Sequence, residues 1–230
     1  MVLGVGVVGL WGHEVYARRL AAHRATDLLG VAAWPGADLA MLARLDGFAR
    51  DQRVPRFDSL DLLCQRGGLE AVLLMVPPKD NATLCVAALD EGLDVLCEKP
   101  IAGSPADLRA LAAAVARARG VFTACYPLAR YEPRIEALEG RVGRVRRASF
   151  TYLAADGPQY CATVPHYRDP ELPADALAGG EAAMFSGYGV IALEHLVDSP
   201  IVAVQASLGC GWYAAYRERR QEDLARVELS

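Results

Sequence analysis

Through the first half of the chain, short apolar runs alternate with amphipathic stretches at helical spacing. Residues 2–10 (VLGVGVVGL) are apolar on both alternating faces, the pattern of a strand buried in a parallel sheet. Gly12-His13-Glu14 comes next, then a stretch in which Tyr16, Ala17, Leu20 and Ala21 share one helical face. Residues 28–34 (LLGVAAW) predict a second strand, stopped by Pro35-Gly36. Asp38 is placed to cap a helix reaching about Phe48, and Ser59 to start a short one that stops at Gly67-Gly68. Residues 71–76 (AVLLMV) predict a further buried strand, broken by Pro77-Pro78. Asp80 is then expected to cap a helix with Ala82, Cys85, Val86 and Leu89 facing inward and Gly92 at its end. Residues 94–97 predict a strand running into Glu98-Lys99-Pro100. Ser104, Pro105 and Asp107 mark the next helix start, Leu108, Leu111, Ala112 and Val115 its buried face, and residues 121–126 (VFTACY) complete the series.

This β-α-β-α order predicts an α/β fold over residues 1–126: a doubly wound parallel sheet of Rossmann type with right-handed crossovers. Such sheets bind ligands at the carboxyl ends of their strands. That rim should gather Gly9 to Glu14, Trp34, Val76-Pro77-Pro78 and Glu98 to Pro100. The pattern changes after about Arg134. Residues 144–153 alternate polar and apolar as an antiparallel strand with one wet face does, and 152–180 carry the prolines and glycines of a loop. A helix is expected at 187–197 and strands at 201–208 and 226–229. Residues 127–230 are therefore expected to form a second, α+β domain with a mainly antiparallel sheet. That sheet is expected to be incomplete, which would leave an edge open to association.

Composition narrows the function. Of 230 residues, 53% are hydrophobic and 23% charged, as in ordinary folded proteins, and a net charge of −4 with no basic block argues against nucleic acid and anionic membranes as partners. The opening apolar run is too short and glycine-rich for a signal peptide or a spanning helix, so a cytoplasmic location is expected. The six cysteines are scattered singly, which predicts no metal site and no disulfide framework, most of them reading as small buried hydrophobes. Only two lysines occur, Lys79 and Lys99.

Lys99 matters because it falls where ligands gather, between an acid and a rigid proline. A lysine there can orient a substrate hydroxyl or carbonyl and move its proton, and a cis Lys99–Pro100 bond would fix its direction. A solvated lysine in a surface turn fits the spacing equally well. The turn Gly9-Leu10-Trp11-Gly12-His13-Glu14 is placed to cradle a pyrophosphate, yet a regular G-x-G-x-x-G from Gly9 would need glycine at 11 and glycine or alanine at 14. The string from Gly4 to Gly9 matches but lies inside the strand. Taken alone, the turn is also compatible with a glycine-rich strand end that binds nothing. At the end of the second strand, Val31-Ala32-Ala33-Trp34 offers no carboxylate for an adenosine ribose and no base for a 2′-phosphate.

The run Val95-Leu96-Cys97-Glu98-Lys99-Pro100 resembles the E-K-P signature of the Gfo/Idh/MocA oxidoreductases, and the surroundings agree in order. Gly4 to Gly12 resembles that family's first strand and glycine turn, and Val76-Pro77-Pro78 its strand-end prolines, with Asn81 where a histidine is common. Residues 124–133 (ACYPLARYEP) resemble the family's entry into its second domain, and 140–145 (GRVGRV), Gly179-Gly180 and 201–206 resemble successive segments of that domain. The resemblance implies hydride transfer between NAD or NADP and a secondary alcohol or ketone of a small sugar, cyclitol or similar polyol, in a homo-oligomer. Lys99 would be the catalytic residue. Gly9, Trp11, Gly12, His13, Trp34, Val76, Pro77, Asn81, Glu98 and Lys99 would bind the cofactor, and Lys99, Tyr126, Arg130, His166 and Tyr188 would face substrate.

Two departures stand out. Where the family commonly has D-x-G-x-H-x-x-D, residues 185–192 read FSGYGVIA, without the acid–base histidine or either aspartate. Glu194 and His195 lie past the expected helical face and read as surface residues. The chain also ends where the family normally continues. These departures motivate an alternative, a relative that has lost catalysis and serves as a nucleotide-binding or assembly protein, and a further one, that the chain is an incomplete version of a longer enzyme.

Overall fold

A computed structural model describes residues 2–125 and, beyond them, 137, 141, 151, 187–191, 193, 197, 200–210, 217 and 224–229. The chain divides into two units, Met1–Cys125 and Tyr126–Ser230.

The first unit alternates β1 (Leu3–Val8), α1 (Val15–Ala21), β2 (Thr26–Ala32), α2 (Leu39–Gln52), β3 (Arg56–Phe57), α3 (Leu60–Cys64), β4 (Ala71–Leu74), α4 (Pro78–Asp90), β5 (Asp94–Glu98), α5 (Pro105–Arg117) and β6 (Phe122–Cys125). Its strands form one parallel sheet in the order β3-β2-β1-β4-β5-β6. The chain moves outward from β1 to one edge, returns to β4, and moves outward to the other, so the direction reverses between β1 and β4. Because crossovers are right-handed, helices on the two halves cover opposite faces, and the reversal opens a crevice at the strand ends. This is the doubly wound fold the alternation predicts.

The apolar runs become the core. Val5, Val7 and Val8 of β1, Val72, Leu73 and Leu74 of β4 and Val95 and Cys97 of β5 are buried, with Leu45 and Phe48 of α2 and Cys85 and Leu89 of α4 among the buried helix residues. Gly4 and Gly6 lie within β1 for packing reasons. A Cβ on Gly4 would stand 1.9 Å from the Gly68 carbonyl oxygen, and one on Gly6 2.7 Å from Leu63. These glycines admit neighbours, not a phosphate.

Three helices start where side-chain oxygens cap them: Asp38 accepts from the Met41 N–H at 2.7 Å, and Ser59 and Ser104 do the same for α3 and α5. The predicted cap at Asp80 is corrected. α4 begins at Pro78, whose fixed φ suits the first helical position and whose missing N–H costs nothing there. Asp80 falls in the first turn instead, and on the inner face Ala88 is buried where Val86 is only half-buried. α2 runs on to Gln52, past the expected Phe48. The predicted face of α5 is also corrected: Leu111 and Ala114 are buried, while Leu108 and Val115 are 48% and 37% exposed. α5 packs beside α4, and the narrow line of Leu111 and Ala114 is what it buries. β3, of two residues, carries too little pattern to be read from sequence.

In the second unit, residues 187–191 are helical. The strands β7 (Val204–Gly209) and β8 (Leu224–Leu229) pair antiparallel, Val204 opposite Leu229 and Gly209 opposite Leu224. β7 starts later and β8 earlier than the apolar runs suggest. Apart from Thr151, the strand expected at 144–153 and the loop at 152–180 lie outside the described residues. Among the described residues, no helix is long and apolar enough to cross a membrane.

Candidate functional site

The rim of the first unit's sheet is built from the turns that come after β1, β2, β4 and β5. After β1, the Gly9 N–H donates to the Ala32 carbonyl at 2.9 Å and the Trp11 N–H to the Met75 carbonyl at 2.8 Å, so the turn is tied to both neighbouring strand ends. Gly9 has φ +73°, and a Cβ there would lie 2.3 Å from the Met75 oxygen. Gly12 has φ +81° but is exposed, with Glu98 Cγ at 3.8 Å the nearest atom to a Cβ built on it. The first glycine serves the fold, and the second leaves the backbone open towards β5. Trp11 is buried.

Glu14 stands where the fingerprint has a small residue. Its carboxylate pairs with Arg18 at 2.7 Å and Arg44 at 2.9 Å. Burial opposes ionisation of Glu14, but hydrogen bonds and charge from Arg44 and Arg18 outweigh it and hold the carboxyl below its ordinary range.

At the end of β5, Glu98 and Lys99 are buried, 1% and 2% exposed. Lys99 is therefore not a solvated turn residue, and the Lys99–Pro100 bond is cis. His13, 39% exposed, places Nδ1 at 3.2 Å from Glu98 Oε1. Asn81, fully buried on α4, donates through Nδ2 to the carbonyls of Glu98 at 3.1 Å and Pro100 at 2.7 Å, one on each side of Lys99. Glu98 Oε2 and Asn81 Oδ1 are buried without a hydrogen-bond partner among the described residues. Leaving such an acceptor unsatisfied costs about 1–3 kcal/mol, so two of them at one strand end suit a ligand that brings hydroxyl or amide donors.

Asn81→Ala would strip both carbonyls of their donor, and we expect a loss of about 2–4 kcal/mol in urea unfolding.

Three thiols of the first unit are poor nucleophiles. Cys125, opposite Glu98 across β5 and β6, is pushed up to about 12 by burial and then by the Glu98 charge. Cys64 is pushed up to about 11 by burial and then by Glu91 and Asp61, and Cys97 well up by its hydrogen bond with Cys85 and by burial. Burial and then Glu98 also raise the Tyr16 phenol. Of the described cysteines, Cys85 and Cys97 are buried, Cys64 and Cys125 half-buried, and Cys210 exposed. The expectation that most are buried thus holds for only some of them. Since a raised thiol stays protonated until the pH nears its own value, alkylation at pH 8 should label Cys210 and spare Cys64, Cys97 and Cys125, as peptide mass spectrometry would show. Early labelling of Cys125 would contradict this picture.

The rim thus gathers Gly9, Trp11, Gly12, His13, Trp34, Val76, Pro77, Asn81, Glu98 and Lys99 at the ends of β1, β2, β4 and β5. Tyr188 is buried on the helical stretch of the second unit. Tyr126, Arg130 and His166 lie outside the described residues. Asp80, which sequence reasoning took for a cap, is a rim residue it missed: its Oδ2 accepts from the Trp34 indole N–H at 3.1 Å. A carboxylate in the first turn after strand-end prolines was the available signal.

A parallel sheet in this order, with a glycine turn after β1 and polar groups at the ends of β4 and β5, defines a dinucleotide-binding type of Rossmann domain. Residues 3–126 match the family model described as the oxidoreductase family with an NAD-binding Rossmann fold, and the chain belongs to that family, the Gfo/Idh/MocA proteins. It is similar to inositol 2-dehydrogenase 1 of Saccharopolyspora erythraea, 32% identical over 57% of this chain and 37% of that protein. It is also similar to trans-1,2-dihydrobenzene-1,2-diol dehydrogenase of Sus scrofa, 31% identical over 56% of this chain and 38% of that protein. These matches thus span well under half the length of the curated relatives. The fold is like that of scyllo-inositol dehydrogenase from Lactobacillus casei, solved with NAD(H) and scyllo-inositol, at 18% identity and a TM-score of 0.73 over 100% of this chain and 66% of that one.

Proposed function

We propose that the protein is an NAD(P)-dependent oxidoreductase acting on a secondary alcohol or ketone of a sugar, cyclitol or related polyol. The observation that carries this reading is the buried Lys99 at the end of β5, clamped on both sides by Asn81 and next to a carboxylate with an unsatisfied oxygen. A bound nicotinamide would supply the hydride acceptor or donor. The turn from Gly9 to Gly12, with the Pro77 and Asn81 end of β4, would hold the dinucleotide, Gly12 giving it backbone access. Glu98 Oε2 would accept from a hydroxyl of the ligand, with His13 fixing the other oxygen. Lys99 would hydrogen-bond the reacting oxygen, give it a proton during reduction and take that proton back during oxidation. A homo-oligomeric, cytoplasmic enzyme is part of the same proposal.

Titration with NADH and NADPH, monitored by nucleotide fluorescence and calorimetry, tests it: at least one should bind saturably, and failure of both with the fold intact would refute it. The absence of any acid or histidine from residues 185–192 favours a second reading, a nucleotide-binding relative without turnover. Saturable binding with no oxidation of any polyol in a broad panel would select that one.

A further inference from the structure

We propose that Asp80, held across the end of β1 by the Trp34 indole, binds the adenosine ribose diol and makes the protein select NAD over NADP. This rests on the dinucleotide reading above and adds the specificity of its adenosine end.

The ribose 2′-hydroxyl calls for a carboxylate acceptor, which doubly wound sheets ordinarily take from the end of β2. Here residues 31–34 are VAAW, with no acid. The tryptophan that stands there is not loose. The Pro35-Gly36 turn closes behind it with the Ala37 N–H donating to the Trp34 carbonyl at 3.1 Å, and the indole is 6% exposed. Its N–H is spent on Asp80, in the first turn of α4.

The sheet order gives this bond its meaning. β2 and β4 lie on either side of β1, so a hydrogen bond from the residue beyond β2 to the helix beyond β4 spans the end of β1 beside the glycine turn. That is the crevice in which a dinucleotide lies. The acid missing from β2 is thus delivered from the opposite side. One oxygen of Asp80 accepts the indole, and the half-buried carboxylate has a second with which to accept from the ribose. A 2′-phosphate brings close to two negative charges and calls for arginine or lysine. Two guanidinium groups of α1 and α2, Arg18 and Arg44, are paired with Glu14, and the Asp38 carboxylate caps α2. Among the described residues, Lys79, exposed and next to Asp80 in sequence, is a cation left near this rim, and Asp80 itself repels the phosphate.

The test is calorimetric titration of the whole chain with NADH and with NADPH. The natural protein should bind NADH about tenfold more tightly or better. Asp80→Asn keeps an acceptor for the indole and removes only the charge, so NADH should weaken by about tenfold while NADPH holds or improves. Trp34→Phe keeps the buried ring and removes the N–H, and should lower the preference in the same direction by loosening Asp80. NADPH bound as tightly as NADH by the natural protein, or a ratio unchanged in both folded variants, overturns the assignment while leaving the cofactor reading standing. Binding of neither nucleotide to the natural protein removes that reading and this one together.

Discussion

Lys99→Met should abolish turnover, lowering kcat by about a thousandfold or more, while the Kd for the nucleotide changes little. Methionine is apolar, of similar length and content in a buried site, so the 2%-exposed position should accept it without a cavity. On the proposed function, what is lost is the group that would hydrogen-bond the reacting oxygen and carry its proton, a role worth about 10²–10⁴ in rate. Pre-steady-state measurement of nucleotide oxidation separates the two effects. A variant that binds the nucleotide normally and turns over at a tenth of the natural rate would show that Lys99 only lines the site.

Two substitutions in the same turn should fail in opposite ways. Gly9→Ala forces a side chain onto a residue at φ +73° and drives its Cβ to 2.3 Å from a backbone oxygen of the strand end beside it. Backbone cannot swing aside as a side chain can, so the turn must part from β4. A loss of about 3 kcal/mol or more in unfolding free energy is expected, enough to lower Tm by many degrees. Gly12→Ala carries a positive φ as well, but its Cβ would meet nothing closer than 3.8 Å. Its cost to the fold should be only about 1–2 kcal/mol, and its main effect weaker nucleotide binding, because the methyl group would fill the space left open beside Glu98. Denaturation midpoints and nucleotide titrations of the pair should therefore rank in reverse order. Equal stability losses would mean that the second glycine, too, exists for packing.

What the chain announces locally, it builds. The apolar runs at β1, β4 and β5 need a sheet covered on both faces, and the oxygens of Asp38, Ser59 and Ser104 sit where helices begin. Glu98-Lys99-Pro100 is readable because an acid and a lysine beside a proline are conspicuous at the end of an apolar strand. The rest of the site depends on distance along the chain. His13 and Glu98 are 85 residues apart and meet only because β1 and β5 end on the same rim, and Trp34 and Asp80 are 46 apart. No periodicity encodes such pairs. The start of α4 is obscured for a different reason, since an aspartate two residues inside a helix looks, in sequence, like the cap itself. On α5, four apolar residues at helical spacing suggest a broad buried face, but the residues buried are Leu111 and the small Ala114, on the helix that packs beside α4.

The proposed catalysis by Lys99 requires a nicotinamide lying within its reach. A crystal structure of the protein with NADH and a polyol is the most direct measurement. It should place the reacting hydroxyl about 3 Å from Lys99 Nζ, with the pyrophosphate beside the Gly9 to Gly12 turn. A dinucleotide bound elsewhere, or lying on this rim with its nicotinamide out of reach of Lys99, would contradict it.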